Sequence, residues 1–228
     1  MKLILKLFFE TNVPNIKIDN DILDMVEAIC DKITLKEIKK LFYKLNMNKN
    51  IKNRGTGAGG IKTNYNELFY EKLTELNDYL TIIKNNKYSN IIKFHKSENI
   101  YIRTKKTHLF KYMDNYTDKK ISKAHGCKNP DECYINEKTN TIFIIEKKFQ
   151  QTSGSVCEKI QTSDFKLWQY NRTFPNYNII YIYCLSEWFN NNCKAELEYL
   201  KLKNIPVFWG YKKTYKNDII DFIIKHSS

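Results

Sequence analysis

The order of elements legible in the sequence predicts an α/β fold, a central mixed β-sheet flanked by helices with a helical N-terminal addition. Three observations predict it. Residues Asn129 to Gln151 hold two short apolar runs on either side of a polar turn at Asn136 to Asn140, the pattern of a β-hairpin. The second run, Ile142 to Ile145, is apolar on both faces, as a strand in the middle of a sheet must be, and Asn178 to Leu185 repeats that character. Stretches with helical spacing lie before, between and after them.

The N-terminal part reads as helical and basic. Ile22, Leu23, Met25, Val26 and Ile29 place a helix over Asp21 to Cys30, and Leu35, Ile38, Leu41, Phe42 and Leu45 place a second over Leu35 to Asn46. From Ile38 to Asn66 there is no acidic residue, while Lys39, Lys40, Lys44, Lys49, Lys52, Arg54 and Lys62 are all cationic. A solvated face and a phosphate-contacting surface both fit this run. Four of the seven glycines fall between Arg54 and Thr63, where the backbone needs unusual dihedrals or approaches something closely. A nucleotide-binding P-loop is rejected, because Ile61 separates Gly60 from Lys62 and no buried strand precedes the loop.

Further along, Asn64 with Glu67 forms a capping pair for a helix running through Leu80 or beyond. Asn90 to His95 and Asn99 to Met113 are strand-like. After the hairpin, Ser155 and Glu158 form a second capping pair and start a helix to about Tyr170, with Val156, Ile160 and Leu167 inward. A polar helix from Asn191 to Lys203, a short strand at Ile205 to Trp209 and a helix near Asp218 to Ile224 complete the chain.

Composition bounds the partners. The chain has 228 residues, enough for one sizeable domain, and its 42% hydrophobic content argues for a real core. A net charge of +13 favours a polyanion, nucleic acid before a membrane surface, since no basic amphipathic helix or lipidation signal is evident. The apolar patch in Met1 to Glu10 is too short for a signal or spanning segment, so a soluble, cytoplasmic protein is expected. The six cysteines, at 30, 127, 133, 157, 184 and 193, show neither zinc-ligand nor disulfide spacing, and reduced thiols are expected.

The chemistry concentrates at the end of the hairpin. On a strand, Glu146 and Lys148 point to one side, about 7 Å apart along the chain, and Lys147 points to the other. Closing the hairpin brings Asp131 beside Glu146. Adjacent carboxylates repel unless a cation neutralises them, and oxygen donors favour a hard ion such as Mg2+. The lysine is then left to orient or deprotonate a water, or to balance charge developing on a phosphate.

Pro130-Asp131, fourteen further residues, and Glu146-Lys147-Lys148 together resemble the signature of the PD-(D/E)xK nucleases, most often met in type II restriction endonucleases. The resemblance covers roughly residues 62 to 210, and its order of helix, hairpin-bearing strands, helix and strand implies a restriction-endonuclease-like core over 62 to 228 with an added segment over 1 to 61. It implies that Asp131 and Glu146 bind Mg2+, with Mn2+ as a substitute, that Lys148 is the catalytic lysine, and that double-stranded DNA is cut at a specific sequence by phosphodiester hydrolysis. Glu71, with Glu67 close behind, then reaches the metal through water, and Gln150 belongs to the site. Lys52, Arg54, Gly57, Lys62, Lys128, Asn129, Gln151, Gly154 and Ser155 are the expected DNA contacts, the last two at a helix N-terminus. A homodimer and a partner DNA methyltransferase acting on the same site are expected by analogy. Two alternatives stand beside this: a Holliday-junction or repair nuclease on the same fold, and a basic DNA-binding protein without chemistry.

Overall fold

The computed structural model describes residues 67–118, 121–150 and 156–227. The helices expected at Asp21 to Cys30 and Leu35 to Asn46, the glycine-rich loop, Lys52, Arg54, Gly57 and Lys62 lie outside the described residues, as do Gln151, Gly154 and Ser155. Contacts divide the chain into two units, Met1–Leu73 with Tyr211–Lys213, and Thr74–Gly210 with Thr214–Ser228. In the first unit, residues 67–73 are helical, with Phe69, Tyr70 and Leu73 buried.

The second unit is a seven-stranded mixed sheet in which the strands lie in chain order. They are β1 (Leu80–Asn85), β2 (Asn90–Phe94), β3 (Ile100–Thr104), β4 (Glu132–Asn136), β5 (Thr141–Lys148), β6 (Asn178–Leu185) and β7 (Val207–Trp209). Strands β1 to β5 pair antiparallel, and β5, β6 and β7 pair parallel. Short turns reverse the chain from β1 to β2, β2 to β3 and β4 to β5, a longer connection containing a helix joins β3 to β4, and helices return the chain in parallel after β5 and β6. Among the described residues the helices of this unit are α1 (His108–Tyr116), α2 (Val156–Gln161), α3 (Ser163–Thr173), α4 (Glu187–Asn192), α5 (Lys194–Leu202) and α6 (Tyr215–Lys225).

The predicted hairpin is β4 and β5. Asn136 shapes its turn: the side-chain oxygen accepts from the backbone N–H of Lys138 at 3.0 Å and of Thr139 at 3.3 Å, and Asn140 takes a left-handed φ of 48° that asparagine tolerates. The strand β5 is buried along almost its whole length. Its two faces have different fates. Ile142 and Ile144 pack with Cys133, Ile135, Ile160, Tyr170, Tyr181 and Tyr183 beneath α2 and α3. On the other face, Phe208 of β7 meets Phe222 of α6 at 5.4 Å. Ile144 is fully buried, so Ile144→Ala is expected to destabilise this unit by about 2–5 kcal/mol, against about 0.5 kcal/mol or less for the exposed Ile82→Ala. Denaturant midpoints check this, and equal shifts for the two variants would contradict the assignment of β5 to the sheet centre.

Several expected elements differ. The helix starting near Asn64 does not reach Leu80: helical residues end at 73, a 3-10 turn spans Asn77–Tyr79, and the β-branched run Thr81-Ile82-Ile83 joins β1. The strand expected over Asn99 to Met113 ends at Thr104. Leu109, Phe110, Tyr112 and Met113 are instead the buried stripe of α1, because their spacing of one, two and one fits one face of a helix better than a strand. The helix expected from Ser155 to Tyr170 is two helices, broken at Thr162, whose hydroxyl donates to the carbonyl of Lys159 at 2.9 Å. The polar helix expected from Asn191 is likewise divided into α4 and α5 at Cys193.

The expectation of reduced thiols fails for one pair. Cys157 of α2 and Cys193 are disulfide-bonded across 36 residues of sequence, brought together by the packing of α2 against α5, which no local spacing reveals. Cys127, Cys133 and Cys184 are free and buried. Among the described residues no helix is long and apolar enough to cross a membrane.

Candidate active site

The register of the hairpin fixes where its acidic residues meet. Glu132 pairs with Ile145 across β4 and β5, so the next residues outward, Asp131 and Glu146, are cross-strand neighbours on the same face. Cβ atoms of such neighbours lie about 4.5–5.5 Å apart. Asp131 is anchored there by its own hairpin: Oδ2 accepts from the backbone N–H of Lys147 at 2.8 Å. Lys148, two residues beyond Glu146, folds back on the same side and brings Nζ to 2.9 Å from Glu146 Oε1. The same ammonium donates to the carbonyl oxygen of Lys147 at 3.2 Å. Asp131, Glu146 and Lys148 therefore share one face at the C-terminal end of β5.

The floor and wall of this site come from neighbouring elements. Parallel pairing sets Tyr183 of β6 beside Glu146 and Tyr181 beside Ile144. Helix α3 lies over the same face, and both carboxylates act on its Tyr170 and Lys166. Lys166 Nζ is 3.3 Å from Glu146 Oε1, the oxygen that Lys148 also holds. Glu146 is 7% exposed, enough for access and too little for full hydration. Burial opposes its ionisation, but the Lys148 and Lys166 ammonium groups overcome that and hold its carboxyl below the usual carboxylate range. Burial pushes the Lys166 ammonium down from its ordinary value, with Glu146 opposing. Burial first, then Glu146, pushes the Tyr170 and Tyr183 phenols up, so both stay neutral donors.

The loop leading into Asp131 is fastened to α3. Thr173 Oγ1 accepts from the Ala124 N–H at 3.0 Å, Gln169 Nε2 donates to the His125 carbonyl at 2.9 Å, and Tyr170 donates to the Lys128 carbonyl at 2.9 Å. Gly126 permits the turn with a φ of 75°, and a Cβ there would meet Gln169 Nε2 at 3.3 Å. His125, Lys128 and Asn129 are exposed on this loop, and Lys123 Nζ donates to Asn129 Oδ1 at 3.2 Å.

The opposite face of the same hairpin carries a second set of charges. Glu132 and Lys147 are almost completely buried and paired at 2.8 Å. Glu132 Oε1 also accepts from Arg103 Nε at 2.9 Å, Arg103 Nη2 at 2.6 Å and Tyr134 at 2.7 Å. Glu75 extends the cluster, bridging Lys105 at 2.8 Å. Burial opposes ionisation of Glu132, and Lys147, Arg103 and Lys105 outweigh it, holding its carboxyl well below the usual range. Lys147 thus points away from Asp131 and Glu146, as strand alternation requires.

Other expected site residues stand differently. Glu71 is half-buried on the helical segment 67–73, in the other unit. Gln150 lies past the end of β5, so strand alternation no longer sets its direction. Its backbone N–H donates to Ser186 Oγ at 3.1 Å, and its carbonyl accepts from the same hydroxyl at 3.2 Å. Sequence reasoning missed Lys166, Tyr170 and the Glu132–Arg103–Lys147 cluster. Lys166, Tyr170 and Thr173 recur at helical spacing, which puts them on one face of a helix without telling that this face meets the hairpin.

Two carboxylates from adjacent strands, with the Lys147 carbonyl on the same lip, form an all-oxygen donor set that fits a hard divalent cation. Cys157, Cys193 and Glu196 also bring ligand atoms within 4.8 Å of one another, but the two sulfurs are bonded to each other. A largely apolar cavity of about 560 Å³ lined by Leu197, Ile205, Trp209 and Phe222 lies elsewhere, among α5, β7 and α6. No family model matches the chain, and neither the curated proteins nor the solved structures compared with it yield a match.

Proposed function

We propose that this chain is a metal-dependent endonuclease of the PD-(D/E)xK kind, resembling a type II restriction enzyme that hydrolyses double-stranded DNA at a specific sequence. The observation that carries the reading is the meeting of Asp131 and Glu146 on one face of a hairpin with Lys148 on the same carboxylate. Asp131 and Glu146 would hold Mg2+, or Mn2+ in its place, and when bound the ion supplies charge stabilisation and an acidified water. Lys148 orients that water and offsets charge on the phosphate. Burial of Glu146 keeps these interactions in a low-dielectric setting, where they are worth more than in bulk water. The exposed Lys128 and Asn129, on the loop fastened to α3, are disposed to meet the DNA backbone, and the chain's net charge of +13 favours that encounter. A two-fold dimer would place one site on each strand, and a methyltransferase acting on the same sequence is the natural partner of such an activity.

A second reading is favoured by one observation: two carboxylates facing two lysines are neutralised without any metal. On that view the cluster only binds the fold together and the protein is a non-catalytic DNA binder. Incubating the full chain with a long duplex and Mg2+, with EDTA as control, separates the two. Discrete fragments that depend on the ion are expected, and intact duplex across Mg2+ and Mn2+ would remove the nuclease reading.

A further inference from the structure

Glu146 carries two ammonium groups on one oxygen. Lys148 reaches Oε1 at 2.9 Å from the same strand, and Lys166 reaches it at 3.3 Å from α3. The other contacts of the Lys166 ammonium are weak, the Lys159 carbonyl at 3.4 Å and the Tyr183 ring at 5.9 Å. Its side chain is 13% exposed, so its ammonium sits at the boundary between the buried Glu146 carboxylate and solvent. Asp131, Glu146, Lys148 and Lys166 sum to zero charge. A divalent ion bound to the two carboxylates would leave the cluster with two excess positive charges, and both lysines would be repelled from Oε1.

The lysines are not equivalent in how they can respond. Lys148 is tied to β5 two residues from Glu146 and also holds the Lys147 carbonyl. Lys166 stands on a helix across the site, at the end of a flexible four-carbon arm. We propose that Lys166 is a phosphate-binding residue of this site: it guards Glu146 in the metal-free protein, yields that oxygen to the incoming cation, and then takes a non-bridging oxygen of the scissile phosphodiester. The inference rests on the nuclease reading and extends it from the strand-borne motif to α3. The phosphodiester, a monoanion, then offsets one of the two excess positive charges left by metal entry.

The competition predicts an effect opposite to that of losing a ligand. In the full chain without DNA, Lys166→Gln is expected to bind Mn2+ roughly threefold to tenfold tighter than the parent, read by electron paramagnetic resonance, because a competing charge is gone. Glu146→Gln, as control, is expected to weaken it. With Ca2+ as the ion, Lys166→Gln is expected to bind duplex less well, and with Mg2+ to cut it about 10²-fold more slowly. Lys166→Arg, which keeps the charge, is expected to recover most of the duplex affinity and part of the cleavage. Unchanged or weaker Mn2+ binding in a folded Lys166→Gln, or duplex binding equal to the parent, would overturn the proposal while leaving cleavage by the parent intact. If the parent neither binds Mn2+ at Glu146 nor cuts DNA, the nuclease reading itself has failed, and this inference with it.

Discussion

Asp131→Asn is expected to lower Mg2+-dependent cleavage by about 10³-fold or more while leaving the fold intact. The separation of the two effects comes from how Asp131 is held. Its Oδ2 accepts the Lys147 N–H at 2.8 Å, and an asparagine carbonyl can accept the same bond, so the hairpin keeps its end contact. What the asparagine cannot supply is the negative charge that binds a hard cation. The unfolding free energy is expected to move by about 1 kcal/mol or less, the scale of one exchanged hydrogen bond. Gel-based cleavage rates and denaturant melts on the same preparation check this. Cleavage at the parent rate would remove Asp131 from the metal site, and loss of the folded state would make it a structural residue.

Breaking the charge cluster on the opposite face has the reverse signature. Glu132 and Lys147 are almost wholly buried, with the pair at 2.8 Å and Arg103 bonded to the same carboxylate. Removing Lys147 leaves Glu132 Oε2 without its donor while Arg103 still holds Oε1, so Lys147→Met is expected to cost about 1.5–3 kcal/mol of stability. In the double change Lys147→Met with Glu132→Gln, Arg103 keeps only Glu75, at 3.7 Å, as a charged partner, so the loss is expected to persist. A Lys147→Met protein as stable as the parent would contradict the buried pairing.

The buried carboxylates on the two faces of the hairpin set an acid limit. Glu132 and Glu146 both have folded-state carboxyls held below their ordinary value of 4.5, by opposite charges that outweigh burial. For such groups the unfolded chain takes up protons first as pH falls, so their contribution is fully present above about 4.5 and declines below it. It is lost completely only once the depressed folded values are passed. Melting temperature is thus expected to hold near neutrality and drop steeply below about pH 4.5, with the drop shallower in a Glu132→Gln variant.

Much of the candidate site was legible because it depends on one local regularity. Strand alternation put Glu146 and Lys148 on one side and Lys147 on the other, and hairpin closure put Asp131 opposite Glu146. Both relations need only the turn at Asn136 to Asn140 and the apolar runs around it. What remained hidden depends on distant packing. Lys166 reads as one more cation in a lysine-rich chain until α3 is laid across the sheet, and the partnership of Glu132 with Arg103 spans 29 residues. The Cys157–Cys193 bridge is of the same kind. The misread elements have a different cause. Leu109 to Met113 is a short apolar cluster that a strand and a helix can both accommodate, and packing beneath the sheet decides for the helix. After Leu73 the α-helix has ended, Asn77 and Asp78 sit in a 3-10 turn, and the β-branched Thr81 to Ile83 favours an edge strand over a longer helix.

The proposed chemistry requires a divalent cation held between the carboxylates of Asp131 and Glu146. Anomalous diffraction from crystals of the full chain grown with Mn2+ tests this directly. A single strong anomalous peak within bonding distance of both carboxylates, lost in Asp131→Asn, is the predicted result. Mn2+ bound only elsewhere, with Lys148 and Lys166 still on Glu146, would contradict it.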